Sequence, residues 1–195
     1  MYKKVMIVMI AIASLPILSF PVLGLPILEA GAAQLRDGKT YFVHLPTFLE
    51  VETTENYIYA RNATYYFKVA LPLNMGENLQ RLEILQSEGF ETIDFWLDQT
   101  IAYVQTTSGD RLPITGKAEI IQNQDRDQRK VVITFEPPIP ASGQPNRQLV
   151  VGLRPFRNPR YGGVYLFGVS ASPQGDRPHP QFLGYGRLNF YDPFR

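Results

Sequence analysis

The sequence contains no cysteine, only two histidines and a single tryptophan among its 195 residues. Without cysteine the chain can form neither a disulfide nor a thiolate metal site, and it offers no cysteine for a lipid anchor. A disulfide-rich secreted scaffold is therefore excluded. Net charge is also low, since 19 lysines and arginines against 18 acidic residues leave +1. Nucleic-acid binding needs a basic face to neutralise phosphates, so it is not predicted.

The two histidines offer no local motif for catalysis or metal binding. His44 alternates with Phe42 in an apolar segment, and His179 lies between Pro178 and Pro180. Neither falls in an HExxH zinc motif, and the chain has no GxSxG nucleophile motif. We interpret His44 as a strand-surface residue and His179 as a loop residue. The sequence predicts no metal and no cofactor.

Acidic residues leave one enzymatic alternative open. A glycosidase needs two carboxyl groups that face each other across a cleft. The acidic residues that could supply such a pair are Glu83, Glu88, Glu91, Asp94 and Asp98. Their spacing has no signature, and we interpret them as solvent-facing residues of strands. Asp125-Arg126-Asp127 lacks the glycine and distal glutamate of an EF-hand, and it predicts a charged hairpin turn.

The first 33 residues have the order of a secretory signal peptide. Lys3 and Lys4 precede an apolar run over Val5–Leu28, and the small residues 30–33 follow. We predict cleavage after Ala32 or Ala33. The competing interpretation is a retained N-terminal anchor, because a run of about 24 residues is long enough to span a bilayer. Prolines 16, 21 and 26 disfavour a spanning helix.

The remaining residues, 34–195, have the two-residue period of β-strands. The segments that alternate or read as short apolar strands are Thr40–Leu45, Tyr65–Leu71, Leu79–Gln86, Thr92–Leu97, Ile101–Gln105, Ile114–Gln122, Lys130–Phe135, Gln148–Leu153, Val164–Ser170 and Phe182–Tyr191. Proline and glycine turns separate them. Glu77–Glu88 also allows a helical stripe, but we favour a strand. Nine or ten short strands at about ten-residue spacing predict one immunoglobulin-like antiparallel β-sandwich.

One inter-strand segment combines arginines with aromatic residues. Three arginines lie three residues apart in Arg154–Tyr161, with two prolines stiffening the segment. The candidate binding residues are Arg154, Phe156, Arg157, Arg160 and Tyr161. Guanidinium groups and aromatic rings together suit anionic or sugar ligands. The alternative is a stiff loop whose rings pack on the end of the sandwich while the arginines stay solvated.

Motifs along the whole predicted domain resemble those of one protein family. They are Ala63-Thr64-Tyr65-Tyr66-Phe67, Leu79-Gln80-Arg81, Val132-Ile133-Thr134-Phe135-Glu136-Pro137-Pro138, Leu153-Arg154-Pro155, Arg157-Asn158-Pro159, the run Gly162–Val169 and the ending Phe182–Asp192. The chain resembles exported cyanobacterial proteins catalogued as domain of unknown function 2808. The resemblance implies a cyanobacterial source and export, and it supplies no catalytic or binding residue.

These observations predict an exported, non-enzymatic protein of the periplasm, cell envelope or exterior. Its sandwich would serve interaction or scaffolding, and anionic polysaccharide or other envelope components would be its partners. A membrane would be contacted only through an uncleaved N-terminus, and the oligomeric state is left open. The alternative function is a hydrolase-like envelope enzyme whose carboxylates converge only in the fold.

Overall fold

The computed structural model describes residues 33–34, 38–123 and 128–193. The predicted signal segment and the predicted turn at Asp125-Arg126-Asp127 lie outside the described residues, apart from Ala33. Within the described ranges the regular structure is entirely β. No helix among these residues could cross a membrane.

Twelve strands are present in the described part of the chain, where the pattern predicted nine or ten. They are β1 (Ala33–Gln34), β2 (Thr40–Tyr41), β3 (Thr47–Thr53), β4 (Tyr65–Leu71), β5 (Leu79–Glu88), β6 (Phe95–Gln105), β7 (Arg111–Pro113), β8 (Gly116–Asn123), β9 (Gln128–Ile139), β10 (Arg147–Pro155), β11 (Gly163–Pro173) and β12 (Gln181–Phe190). The segment that could have been helical is strand β5, as predicted. It pairs with β9 on one side and β11 on the other.

Ten of these strands form two five-stranded antiparallel sheets. Their orders are β3-β4-β10-β6-β7 and β12-β11-β5-β9-β8, while β1 and β2 form a separate pair. Strands β3, β4, β10 and β6 take the places of A, B, E and D in an immunoglobulin domain, and β5, β11 and β12 those of C, F and G. Strands β7 to β9 are inserted between D and E. The strand order confirms the predicted all-β, immunoglobulin-like antiparallel sandwich.

The core lies between the two sheets and follows from the two-residue period. In β4 every second residue, from Tyr65 to Leu71, is buried, because alternate side chains point to the same face of a strand. In the opposite sheet β11 buries Tyr165 and Phe167. The Phe167 ring meets that of Phe67 edge to face, with centroids 5.7 Å apart. Aromatic rings from both sheets therefore fill the middle of the sandwich.

The predicted strand boundaries are wrong at two places, in β6 and in β2. Thr92–Leu97 and Ile101–Gln105 are not separate strands, because β6 runs without a break through the polar residues between them. Thr40–Leu45 is strand only over its first two residues. Beyond them the Val43 amide donates to the carbonyl of Met75, 2.8 Å away.

Candidate ligand-binding end of the sandwich

Three connections meet at one end of the sandwich, which we call the arginine end. They are the β3–β4 connection (54–64), the β5–β6 connection (89–94) and the β10–β11 connection (156–162). Of the five candidate residues, Arg154 lies on β10 itself, and the other four lie in the β10–β11 connection. The sequence segment is thus divided between a sheet and a loop.

A buried asparagine holds two of these connections together. The Asn158 side chain is fully buried, and its Nδ2 donates to the carbonyls of Glu55, at 2.9 Å, and Tyr57, at 2.8 Å. Its Oδ1 accepts a 2.8 Å hydrogen bond from the Tyr65 hydroxyl. Burial, with a further contribution from Tyr165, raises the pKa of Tyr65, so the phenol remains a neutral donor. The β10–β11 connection is therefore fixed to the β3–β4 connection and the core.

Main-chain and tyrosine hydrogen bonds complete this fixation. The Asn158 amide donates to the carbonyl of Ala60, and the Tyr59 amide donates to the carbonyl of Pro159 at 3.1 Å. The Tyr165 hydroxyl donates to the carbonyl of Tyr161 at 3.1 Å. A tyrosine near the start of strand F that bonds back to a carbonyl upstream is the tyrosine corner of immunoglobulin-like domains. The connection that carries the arginines is accordingly a stiff part of the fold.

Arg160 is held by a carboxylate of the β5–β6 connection. Its Nε donates to Glu91 Oε2 at 2.8 Å, and its main-chain amide donates to Glu91 Oε1. Burial alone would raise the pKa of Glu91, but the hydrogen bonds from Arg160, aided by the charge of Arg157, lower it overall. Glu91 is therefore ionised at neutral pH, and it neutralises one of the three candidate arginines.

Arg154 and the only tryptophan of the sequence share the outer face of the first sheet. Arg154 on β10 is directly opposite Trp96 on β6, and opposed residues of an antiparallel pair project to the same face. Arg154 Nη1 donates to Gln99 Oε1 at 3.0 Å. This hydrogen bond to a neutral amide leaves the guanidinium charge without a carboxylate among the described residues.

Trp96 and Phe156 form an exposed pair of aromatic rings. Their centroids are 4.2 Å apart with a 41° tilt, and the two residues are 45% and 46% exposed. The Phe156 amide donates to the carbonyl of Asp94 at 2.9 Å, which fixes its position beside β6. Two large rings so poorly covered by their own chain form an apolar surface available to a ligand.

A groove of about 340 Å³ begins at Phe156 and runs between the three connections. We call it the Arg157 groove, because Arg157 and Arg61 line it and neither makes an ion pair with a described carboxylate. Asp94, also in its wall, is paired with Arg129 at 2.8 Å. The groove therefore carries two exposed positive charges that the described acidic residues do not neutralise.

Arg160 and Tyr161 face a different hollow on the other side of the connection. This second hollow, of about 560 Å³, also includes Phe90 and Tyr191, which are both exposed. The Arg160 guanidinium lies 5.7 Å from the centre of the Tyr161 ring. The structure therefore brings Arg154, Phe156 and Arg157 to one surface and places Arg160 and Tyr161 on another.

Glu91 and Asp94 line the same groove, which bears on the enzymatic alternative. Each is already engaged with an arginine, and the pKa of Glu91 is lowered. A general acid of a glycosidase needs a raised pKa, so the direction at Glu91 is opposite to that requirement. Glu83, another of the acidic candidates, pairs with Lys130 at 2.7 Å.

The histidines lie away from the arginine end. His44 does not lie on a strand, contrary to our interpretation, and its Nδ1 is 2.8 Å from the carbonyl of Asn74. His179 lies in the β11–β12 connection, with its ring 4.9 Å from that of Tyr41. Among the described residues no three histidine or acidic side chains are placed to hold a metal ion.

The surface includes residues that the sequence did not single out. Trp96 lies 58 residues before Arg154 and reaches it only through the pairing of β6 with β10. Arg61 comes from the β3–β4 connection. The one available signal was that the sole tryptophan falls in a segment of strand-like alternation, where it had to face either the core or a surface.

The protein is thus an immunoglobulin-like β-sandwich with a stiff, aromatic and arginine-bearing end. The chain belongs to the family described as Protein of unknown function (DUF2808), whose model matches residues 39–190. The resemblance inferred from the motifs is confirmed for that family. No curated protein matches the sequence.

Solved structures similar to this chain come from bacterial surface proteins. The backbone protein of the group B streptococcus pilus 2b is 11% identical with a TM-score of 0.45, and the match covers 74% of this chain and 57% of that one. The collagen-binding domain of a Staphylococcus aureus adhesin is 10% identical (TM-score 0.34; 79% and 99% covered). The collagen-binding subdomain of Enterococcus faecalis surface protein ACE is 7% identical (0.37; 78% and 97%). These similarities give no basis for assigning a ligand.

Proposed function

We propose that this protein is a non-enzymatic interaction domain of the cell envelope that binds anionic glycans at its arginine end. Export is supported by the order of positive, apolar and small residues over positions 1–33. The domain proposed to act outside the cytoplasm is the single sandwich over residues 34–195. The observation that carries the glycan proposal is the exposed Trp96–Phe156 ring pair beside Arg154 and Arg157.

Each group on this surface would have a distinct part in binding. The rings of Trp96 and Phe156 offer apolar faces on which the C–H face of a sugar ring can lie. Arg154 and Arg157 offer planar donor sets that match a carboxylate or sulfate in a two-point contact. Arg61 extends the positive surface along the groove. An acidic polysaccharide presents both kinds of feature, repeatedly, along one chain.

Stiffness favours binding at this place. The β10–β11 connection is fixed by the Asn158 amide and by the hydroxyl of Tyr165. A surface that is already ordered loses less conformational entropy when a ligand binds. Exposed guanidinium groups act through screened charge, so we expect weak binding that declines as salt is raised.

The proposal can be tested with the single tryptophan as a reporter, because Trp96 lies in the proposed site. A galacturonic acid hexamer should change Trp96 fluorescence in a saturable way, and a neutral glucose hexamer should not. Arg157→Ala and Arg154→Ala should each weaken the response, because each removes a guanidinium that makes no ion pair with a described carboxylate.

The matched control is Arg111→Ala. Arg111 is an exposed arginine on β7, away from the three connections of the arginine end, and its loss changes the net charge by the same amount. Wild type, Arg157→Ala and Arg111→Ala should all be compared on an immobilised acidic polysaccharide at low salt. Equal retention of all three proteins, together with unchanged Trp96 fluorescence, would refute the proposal.

A further inference from the structure

An apolar groove lies at the opposite end of β10 from the arginine end. β10 begins at Arg147 and ends at Pro155, so the two places are roughly 26 Å apart along the strand. The groove has a volume of about 430 Å³. Its apolar walls come from β7, the β7–β8 connection and the end of β9, through Leu112, Pro113, Ile114, Pro138 and Ile139. We call it the Arg147 groove, after the one charged side chain in its wall.

Arg147 is buried without a counterion. It is only 7% exposed, yet no carboxylate of the described residues lies within ion-pair distance. Its Nη2 donates to the carbonyl of Pro140 at 2.6 Å, while its buried Nε has no hydrogen-bond partner there. Burial lowers the pKa of Arg147. An arginine nevertheless remains charged at neutral pH, so this position holds an uncompensated positive charge.

The neighbouring backbone makes room for this guanidinium. A Cβ at Gly143 would lie 2.7 Å from Arg147 Cζ, a distance at which one of the groups would have to move. The residue before the arginine, Asn146, has a φ of 56°, a left-handed conformation that asparagine tolerates better than most residues. The absent side chain at Gly143 and the turn at Asn146 together seat the arginine in the wall of the groove.

A buried, unpaired charge is costly, and a bound anion would offset that cost. The groove walls are aliphatic and proline-rich, so they offer few hydrogen-bond partners for a sugar or a hydrated inorganic anion. They suit a flexible hydrocarbon chain, and the volume lies within the range typical of small-molecule sites, about 300–1,000 Å³. We propose that the Arg147 groove binds an aliphatic carboxylic acid of the fatty-acid class, with its carboxylate on Arg147 and its chain along Leu112, Ile114 and Pro138.

Decanoate is the probe for this proposal, with decanol as its uncharged counterpart. Isothermal titration calorimetry should show saturable binding of decanoate to the full chain. Amide NMR shifts should be largest around Gly143, and Trp96 fluorescence should not change, because the tryptophan lies at the other end of the sandwich. No saturable binding, or shifts confined to the arginine end, would overturn the proposal.

Two substitutions test separately the contributions of the Arg147 charge and of the groove walls to decanoate binding. Arg147→Met keeps an apolar stem of similar length, and it should weaken decanoate binding by about tenfold or more while leaving decanol binding nearly unchanged. Leu112→Glu alters an exposed residue at the mouth, so it should fold even if Arg147→Met does not. It should also weaken decanoate binding, because the new carboxylate repels the ligand. Undiminished decanoate affinity in either folded variant would contradict the assignment.

Arg157→Ala is the control for the position of the site. It removes an exposed arginine at the arginine end and should leave decanoate affinity at the wild-type value. A loss of decanoate binding in this variant would place the anion at the arginine end and overturn the proposal. The two proposals can be refuted independently, because the two grooves share no lining residue.

Discussion

Asn158→Ala should destabilise the protein more than any exposed change in the β10–β11 connection. The substitution removes one acceptor for Tyr65 and two donors, to the carbonyls of Glu55 and Tyr57. Alanine fits the space but restores none of these hydrogen bonds. The main-chain bond from residue 158 to Ala60 would remain, so the effect isolates the side-chain amide.

The size of the loss in unfolding free energy depends on how well each former partner of the Asn158 side chain can form a hydrogen bond with water instead. The Tyr65 hydroxyl is fully buried, and a buried donor left without a partner costs about 1–3 kcal/mol. Glu55 and Tyr57 are less buried, so water can replace part of what their carbonyls lose, at about 0.5–1 kcal/mol each. We expect a loss of about 3 kcal/mol in the free energy of unfolding. That is a large part of the total of about 5–15 kcal/mol for a typical domain.

Urea denaturation followed by far-UV circular dichroism would measure the loss. Tyr65→Phe should recover part of it in the double variant, because removing both partners leaves no unpaired hydroxyl, and the coupling energy should be about 1 kcal/mol or more. Asn189→Ala is the matched control, since its side chain accepts a hydrogen bond from the exposed Arg187 and makes no other among the described residues, so its cost should stay below about 0.5 kcal/mol. An Asn158→Ala protein within about 0.5 kcal/mol of wild type would refute the reasoning.

Three further substitutions test other contacts of the sandwich. Glu91→Gln should flatten the acid side of the profile of unfolding free energy against pH. The stabilisation by the Glu91 carboxylate is complete above its ordinary pKa of 4.5 and is lost as pH falls through the lowered pKa of the folded state. Equal acid slopes in wild type and variant would argue against the ion pair with Arg160. Tyr165→Phe should lower the free energy of unfolding by about 1 kcal/mol in urea denaturation, because it removes the hydrogen bond to the Tyr161 carbonyl. An unchanged free energy of unfolding would show that the tyrosine corner does not stabilise the fold. Phe167→Ala should cost about 3–5 kcal/mol in the same assay, and a smaller loss would mean that the core collapses around the missing ring.

Period-two patterning predicted the strands that lie in the middle of the sheets. β4 fully buries one row of side chains and only partly covers the other, so its core-facing row follows the two-residue period, whereas β10 buries Val150 as well as its core-facing row. β3 was missed because its register shifts between Phe48 and Glu50, which places Phe48 and Val51 out of a two-residue period. A bulge of this kind is a property of the pairing with β4, and one strand read alone does not show it.

β6 was divided for a different reason. Its middle residues, Asp98 to Thr100, are polar, and the pattern indicated two separate segments on either side of them. In the sheet those residues lie in a bulge of β6: Trp96 pairs with Arg154 and Ile101 with Gly152, and residues 97–100 have no ladder partner on β10. The pairing with β10 on both sides of the bulge therefore joins into one strand two segments that the side-chain pattern predicted separately.

The sequence predicted the segment that carries the candidate residues, but it did not predict which residues share one surface in the fold. Three arginines at equal spacing suggested one cluster, yet the fold pairs Arg160 with Glu91, which lies 69 residues away in the chain. It also adds Trp96, and no pattern in the sequence indicated that Trp96 lies beside Arg154. Partners so distant in sequence are selected by the pairing of strands and connections, so local spacing carries no information about them.

Binding of the two proposed ligands should differ in its sensitivity to salt, because Arg157 is exposed and Arg147 is buried. Arg157 is exposed, and mobile ions screen such a charge within about 10 Å at 0.1 M salt, so the proposed glycan binding there should depend on low ionic strength. Arg147 is 7% exposed among apolar walls, where screening is much weaker and most of a fatty acid's affinity would come from its hydrocarbon chain. Raising the salt concentration should therefore release an acidic glycan while decanoate stays bound. Loss of both ligands over the same salt range would indicate that decanoate also binds to a solvated arginine.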